Sequence, residues 1–238
     1  MFRINKITLL AAAFAAAAVL SGCVVEQRTD RIGPPTMDPQ SSSGSSDSAS
    51  RGEYRGEFAT LGSAQTEIIV ASVKSGDSET INTVLSHPND FTPPVLFALA
   101  DQVMNMNEPF AAMFWYYTAQ LRARSDANKS LDPTVRDGLT RMNGFYGHAI
   151  GRYAATHIPE LKLAMSKVME YDTIAERSYD PRWVAVLGRD ALTEERIAFA
   201  PKEEFEKINE ETRKGFYQGY LNALRSTGDD AGVPTSVQ

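Results

Sequence analysis

Between residues 57 and 227 the apolar positions recur at intervals of three and four, which is the spacing of one face of an α-helix. The clearest run lies in residues 135–153, at Val135, Leu139, Met142, Tyr146, Ala149 and Tyr153. The same helical spacing continues on both sides of that run. The pattern therefore predicts an all-α fold, built as a single domain of about seven helices.

Prolines and capping residues divide this domain into its helices. Proline is favoured at the first position of a helix, and Asp or Thr in front of it can cap the free backbone N–H groups. Two short helices are predicted at 64–74 and 78–86, although Ile68-Ile69-Val70 alone is also compatible with a strand. Further helix starts are predicted at Pro93, Pro109, Asp132-Pro133, Pro159, Asp180-Pro181 and Pro201.

The densest apolar stretch of this domain is the sequence FAAMFWYYTAQL at residues 110–121. On a helix its large side chains fall on more than one face, which is typical of a helix enclosed by its neighbours. One interpretation is a central core helix, because aromatic side chains dominate core packing. The other is an aromatic binding groove, for which Trp115 and Tyr116 are the candidate binding residues.

Residues 94–124 also carry a short motif, with Leu99-Ala100 in the first predicted helix and Ala111, Trp115-Tyr116 and Ala119 in the second. This spacing resembles a single Sel1-like or tetratricopeptide-type helical hairpin. No second copy follows at a fixed period, and stacked repeats normally need about three units. The resemblance therefore implies one helical hairpin and does not establish a solenoid.

Glycines recur on one stripe of two long helices. Gly144, Gly147 and Gly151 share a face of the helix that begins near residue 133, and Gly215 and Gly219 share a face of the last helix. Glycine inside a helix is less favourable than alanine by roughly 1 kcal/mol, so a packing reason is expected. We expect these two helices to cross closely; the alternative is a surface that receives a helix of a partner protein.

The chain begins with a charged and then apolar leader. Basic residues at positions 3 and 6 precede an apolar run at 7–20, and the tetrapeptide Leu20-Ser21-Gly22-Cys23 contains the only cysteine. This arrangement resembles a bacterial lipoprotein signal with its lipobox. The resemblance implies a signal peptide at 1–22, cleavage before Cys23 and lipid, including palmitate, on that residue. Because Val24 follows, it also implies an outer-membrane destination.

Two alternatives for the leader are an ordinary secretory signal with a chance cysteine and a membrane-spanning helix. The run is shorter than the roughly 20 apolar residues that span a bilayer. Residues 33–50 then contain seven serines, with Met37 and Ala49 as the only hydrophobic side chains. We therefore predict a lipidated flexible tether at 23–56, and a disordered tail at 228–238.

Charge and cysteine content exclude several classes of function. The whole chain has a formal charge of −6, which becomes −8 once the two basic residues of the leader are removed. A moderately acidic chain lacks the basic surface that nucleic-acid binding requires. With Cys23 lipidated no thiol remains for disulfides, catalysis or metal ligation. No phosphate-binding glycine loop or nucleophile elbow is present, so we expect neither cofactor nor metal.

The remaining polar candidates are a few histidines and arginines. His148 and His157 lie nine residues apart, which fits no metal-binding helical turn. Arg122 and Arg124 are candidate binding residues that could line an anion-binding cleft with Arg136 and Arg141. Arginines that pair with nearby aspartates, such as Asp126, Asp132 and Asp137, explain the same positions equally well.

The function expected from these features is a helical lipoprotein, anchored in the outer membrane and facing the periplasm, that binds a protein partner as an adaptor. A first alternative is an immunity lipoprotein that neutralises a toxic effector directed at the envelope. A second is an envelope enzyme that uses His148 with two carboxylates in a deep polar cleft. The membrane contact in each case is the lipid on Cys23.

Overall fold

The structure is a computed structural model of the chain, and it describes residues 54–61 and 63–226. The predicted signal peptide, Cys23, most of the predicted tether and the predicted tail at 228–238 lie outside the described residues. The architecture below therefore concerns the helical domain.

Helices make up nearly all regular structure of the described residues, which confirms the all-α, single-domain prediction. Seven of these α-helices have nine residues or more and two are shorter: α1 (Gly56–Thr60), α2 (Ser63–Lys74), α3 (Ser78–Ser86), α4 (Pro93–Asn105), α5 (Pro109–Lys129), α6 (Val135–Thr156), α7 (Ile158–Ile174), α8 (Asp190–Thr193) and α9 (Phe205–Ser226). Short 3-10 helices lie at Pro88–Asp90, Pro181–Leu187 and Lys202–Glu204.

Most helices begin where proline or a capping residue predicts. Pro93 opens α4 and Pro109 opens α5, since proline has a helical φ and no N–H to leave unpaired. Asp77 caps α3, because its carboxylate accepts a hydrogen bond from the backbone N of Thr80 at 3.1 Å. The segment Ile68-Ile69-Val70 lies inside α2, so its interpretation as a strand is wrong.

The start of α6 differs from the prediction. The helix begins at Val135 and not at Pro133. The carboxylate of Asp132 accepts from the backbone N of Thr134 at 2.8 Å, and its other oxygen accepts from the backbone N of Asp190 at 3.2 Å. The carboxylate of Asp132 is therefore more than a helix cap, because it also connects the start of α6 to the start of α8.

The central element is α5, which packs against α4, α6, α7, α9 and the 3-10 helix Pro181–Leu187. Residues 112–119 of α5 are buried on every face. Helices α2 and α3 pack against α4 on the far side. The aromatic stretch is thus the core helix that its pattern favours, and burial of each large side chain there stabilises the fold by roughly 1.5–3 kcal/mol.

Helices α4 and α5 form a helical hairpin with a three-residue turn. Asn107 in that turn has φ of 60°, a left-handed conformation that asparagine tolerates better than most residues. The backbone N of Glu108 donates to the carbonyl of Val103 at 3.1 Å, which satisfies one free carbonyl at the end of α4. Such a short turn forces the two helices to lie side by side.

The predicted crossing of the two glycine-bearing helices is wrong. Helices α6 and α9 each pack against α5 and not extensively against each other. A Cβ atom at Gly147 would overlap the hydroxyl of Tyr116 on α5, so this glycine makes room for that ring. Cβ atoms at Gly144, Gly215 and Gly219 would meet nothing within 4 Å.

The described residues begin at Tyr54, two residues before the predicted end of the tether, and they are already packed on the domain. The reason is a small second apolar cluster, separate from the main core, in which Phe58 of α1 is buried with Ala185 and Ala191. Tyr54 packs on this cluster, and its hydroxyl donates to the carbonyl of Val186 at 3.4 Å.

Two polar contacts join α1 to the loop that follows α8. The backbone N of Glu57 donates to the carbonyl of Glu195 at 2.8 Å. The Glu57 carboxylate in turn accepts from the backbone N of Ile197 at 2.7 Å. The first helix is therefore attached to residues 195–197 by its backbone and by its side chain.

Candidate functional site

An open cleft with a volume of about 860 Å³ lies beside the C-terminal end of α7. Its walls are residues 172–182, residues 199, 200 and 202, and the start of α9, and Asp126 and Lys129 of α5 lie at its base. Ligand pockets in proteins have volumes of roughly 300–1,000 Å³. The cleft is therefore large enough for a small molecule or for a short segment of a protein.

Asp126 is held by three donors at the base of the cleft. Its side chain is fully buried, and one oxygen accepts from Nζ of Lys129 at 2.9 Å. The other oxygen accepts from the hydroxyl of Tyr179 and from Nε1 of Trp183, both at 2.9 Å. The carboxylate thus connects the last turn of α5 to the segment after α7.

Asp172, on the last turn of α7, is held by three arginines. Its buried carboxylate accepts from Nε of Arg122 at 3.4 Å and from Nη2 of Arg177 at 3.0 and 2.9 Å. Nε of Arg213 donates to the same carboxylate at 3.2 Å, and Nη2 of Arg213 donates to the backbone carbonyl of Asp172 at 3.0 Å. These contacts join α5, α7 and α9.

We call these side chains the ionic floor of the cleft: Lys129, Arg177 and Arg213 with Asp126 and Asp172, which line it, and Arg122, which contacts Asp172 but does not itself line the cleft. None is more than 13% exposed. Four cations thus share two carboxylates in a largely buried site. Burial lowers the pKa of Lys129, an effect that the Asp126 carboxylate opposes and the Arg177 guanidinium reinforces.

The spacing along α5 explains part of the ionic floor. Arg122, Asp126 and Lys129 are separated by four and three residues, so they share one face of that helix. Charges at this spacing on an otherwise apolar, buried helix are a signal that the sequence does contain. Sequence analysis considered Asp126 only as a possible arginine partner, and it missed Asp172, Arg177 and Arg213.

The aromatic candidates do not line the cleft. Trp115 and Tyr116 are 3% and 2% exposed and pack within the main core. The hydroxyl of Tyr116 donates to the backbone carbonyl of Asn143 at 3.1 Å, and burial raises the pKa of Tyr116 to about 12. Both side chains therefore serve packing in this structure and present almost no surface to a ligand.

The arginine candidates separate into two places. Arg122 is fully buried and belongs to the ionic floor. Arg124 is exposed on another face of α5, with its guanidinium 5.4 Å from the ring centre of Phe216. Arg124 and Arg136 line a second pocket of about 500 Å³, whereas Arg141 is exposed on α6 and lines neither cavity. The predicted group of four arginines is thus not assembled.

The histidine candidates lie away from the cleft. His148 is exposed on α6, with Nε2 3.4 Å from Nη1 of Arg152. His157 follows α6, and its ring is stacked on Tyr153 with 3.8 Å between the ring centres. No group of three His, Cys, Asp or Glu side chains that could hold a metal ion occurs among the described residues.

No family model matches this chain, and neither a curated protein nor a solved structure was found to match it. Within residues 54–61 and 63–226, no helix has the length and apolar character needed to cross a membrane. The assignment of a function therefore depends on the cleft and on the sequence motifs alone.

Proposed function

We propose that the protein is a binding module of the cell envelope, anchored in the outer membrane through lipid on Cys23 and facing the periplasm, that docks a segment of a protein partner in the cleft. The observation that supports this proposal is the cleft itself. It opens to solvent at the surface of a helical domain, and its base is made of buried, mutually bonded charges.

The arrangement of the ionic floor favours recognition over chemistry. Each carboxylate is fixed by several donors, and the cations are fixed in return. Rigid polar groups at the base of a cavity can bind a ligand without first being ordered, which saves side-chain entropy on association. A binding role therefore requires no rearrangement of these side chains.

The cleft also sets the size of what it can hold. Its volume of about 860 Å³ admits a few side chains but not a folded domain. The partner must therefore insert an extended segment, a turn or a chain end. The remaining contact area would come from the rim of the cleft.

Capture of the partner from native cells tests this proposal. Intact lipidated protein is crosslinked in cells and purified, alongside the unlipidated Cys23→Ser form. A bulky side chain in the cleft, from Ser178→Trp, should abolish capture, because Ser178 is exposed and lines the cleft. The matched control Ser166→Trp places the same side chain on an exposed position of α7 outside the cleft.

One protein that is captured by the Ser166→Trp form but lost with Ser178→Trp would support docking in the cleft. If that protein is a toxic effector, the immunity alternative is the correct form of the proposal. Equal capture by both tryptophan variants would place the contact elsewhere. Recovery of no protein by any form would overturn the protein-binding proposal and would favour the alternative that the protein is an enzyme.

A further inference from the structure

The ionic floor holds more positive than negative charge. Its four cations face two carboxylates, and every one of these side chains is at least 87% buried, since the greatest exposure is 13%. Removing an unbalanced charge from water is strongly unfavourable unless another group compensates it. Three of these cations and both carboxylates line the open cleft, and Arg122 lies outside the lining, so the floor is a positively charged site that an anion would complete.

The two carboxylates have little capacity left to accept hydrogen bonds. Asp126 already accepts from Lys129, Tyr179 and Trp183. Asp172 accepts four contacts from three arginines. A carboxylate offers about four lone-pair positions in all. A ligand that donates hydrogen bonds would thus find few acceptors on the floor.

Donors, in contrast, remain available. An ammonium group has three N–H donors, and the one side-chain hydrogen bond of Lys129 in the described part of the chain goes to Asp126. Arg213 uses Nε and Nη2 on Asp172, which leaves its Nη1 without a hydrogen bond among the described residues. Both side chains line the cleft. The floor therefore matches a ligand that supplies acceptors and negative charge.

The charges at the rim do not cancel this preference. Asp180 is paired with Arg182 at 2.8 Å, and both are about half exposed. Glu176, Glu206 and Lys202 are exposed as well. Charges in contact with water are screened, whereas those in a low-dielectric site interact strongly. An anion that enters the cleft is therefore governed mainly by the floor.

The wall next to Lys129 is apolar. Phe199 and Phe205 meet edge to face, with 5.9 Å between ring centres, and Nζ of Lys129 lies 5.2 Å from the ring centre of Phe205. Ile174, which is 78% exposed, adds an apolar side chain on the opposite segment. A ligand that fits both surfaces carries an anionic group beside an apolar one.

We infer that the cleft binds a carboxylate flanked by an apolar group, with the carboxylate against Lys129 and Arg213 and the apolar group against Phe199 and Phe205. This inference rests on the proposed function, because a carboxylate is the anion that a protein segment carries. Its source is a chain end, an acidic side chain of the partner, or a small organic acid.

The test uses the full mature protein in detergent and three acid probes: N-acetylphenylalanine, the peptide acetyl-Gly-Gly-Phe with a free carboxyl end, and acetyl-Phe-Glu-Phe-amide. The neutral control is acetyl-Gly-Gly-Phe-amide. Binding is followed by NMR at the indole N–H of Trp183, which donates to Asp126 on the floor. Neither tryptophan lines the cleft, but Trp115 has no hydrogen bond to the ionic floor among the described residues and gives the internal reference signal.

Two isosteric variants make the result specific. Asn209 lines the cleft, and its carbonyl oxygen accepts from Nη1 of Arg177. Asn209→Asp keeps this acceptor, loses the Nδ2 donor to Glu206 and adds one negative charge, so it should raise the Kd of a bound acid about tenfold or more. Asn222→Asp makes the same change at an exposed position near the end of α9 and should leave the Kd unchanged within about twofold.

At least one acid probe should shift the Trp183 signal saturably, with a Kd that rises with salt, while the neutral amide does not. If acetyl-Gly-Gly-Phe binds most tightly, the natural ligand is a chain end. Tightest binding of acetyl-Phe-Glu-Phe-amide indicates an acidic side chain, and tightest binding of N-acetylphenylalanine indicates a small organic acid. Equal binding of the neutral amide, an Asn209→Asp Kd equal to the original, or no binding by any acid would overturn the inference. Capture of a partner that depends on Ser178 would still stand in that case.

Discussion

At the scale of single residues, the most consequential group is Asp126. It has no exposed side-chain surface and accepts hydrogen bonds from Lys129, Tyr179 and Trp183. A buried ion pair contributes little net stability compared with apolar residues of the same shape, but loss of one partner leaves a buried charge uncompensated. The Asp126 carboxylate therefore matters mainly because it compensates the positive charges around it, and it adds little net stability of its own.

We expect Asp126→Asn to lower the free energy of unfolding by about 3–5 kcal/mol, because it leaves the cations of the floor with a single carboxylate. Asp180→Asn is the matched control. Asp180 pairs with Arg182 at the surface, so its substitution should lower the same quantity by less than about 1 kcal/mol. Urea unfolding of both variants measures the difference. Equal losses of stability would contradict the burial of the Asp126 carboxylate among the cations of the floor.

At the scale of elements, α5 determines how its neighbours pack. Tyr116 on α5 requires a glycine on α6, whereas the other glycines with open surroundings have no such neighbour. The sequence pattern alone cannot separate these cases, because both kinds of glycine lie on the same helical stripe. Only the position of the aromatic side chain distinguishes a packing glycine from an exposed one.

Substitution of two glycines on α6 tests this distinction. Gly147→Ala should lower the free energy of unfolding by about 1–3 kcal/mol, because the new methyl group overlaps the buried hydroxyl of Tyr116. Gly144→Ala should raise it by about 0.5–1 kcal/mol, because the methyl group meets open space and alanine favours the helix. Thermal unfolding of the two variants gives opposite signs if the packing is as described, and the same sign if it is not.

Sequence reasoning predicted the helices well and the site only in part. Local signals, such as Pro93, Pro109 and Asp77, act within one turn of chain and therefore fix helix starts. The ionic floor depends on contacts between distant positions, such as the 41 residues that separate Asp172 from Arg213. No periodicity along the chain indicates such a contact. Trp115 and Tyr116 are candidates because of their large aromatic side chains, and they lie in the core instead.

At the scale of the whole molecule, tyrosines that are fully or partly buried connect stability to pH. In the described residues the pKa is raised, in each case mainly by burial, for Tyr116, Tyr117, Tyr146, Tyr153, Tyr171 and Tyr179. A raised pKa in the folded state means that the unfolded chain releases its proton first. The stability that these groups provide is complete below about pH 10 and is lost as the pH rises further.

We expect the urea midpoint to fall between about pH 10, the ordinary tyrosine value, and pH 12, the raised value of Tyr116. The rise in the pKa of Tyr116 from its ordinary value to about 12 corresponds to roughly 2–3 kcal/mol at the top of that range. Tyr116→Phe should make the fall shallower, because it keeps the ring and removes the titrating hydroxyl. A midpoint that stays constant while phenolate absorbance appears would contradict the burial of these side chains.

The attachment of α1 has a mechanical consequence. Tension on the chain ahead of Tyr54 reaches Glu57 and passes through its two hydrogen bonds to residues 195–197. Phe199, in the wall of the cleft, follows two residues later. If the chain is anchored and docks a partner as proposed, a pull from the anchor and a pull from the partner would meet across a few residues of this segment.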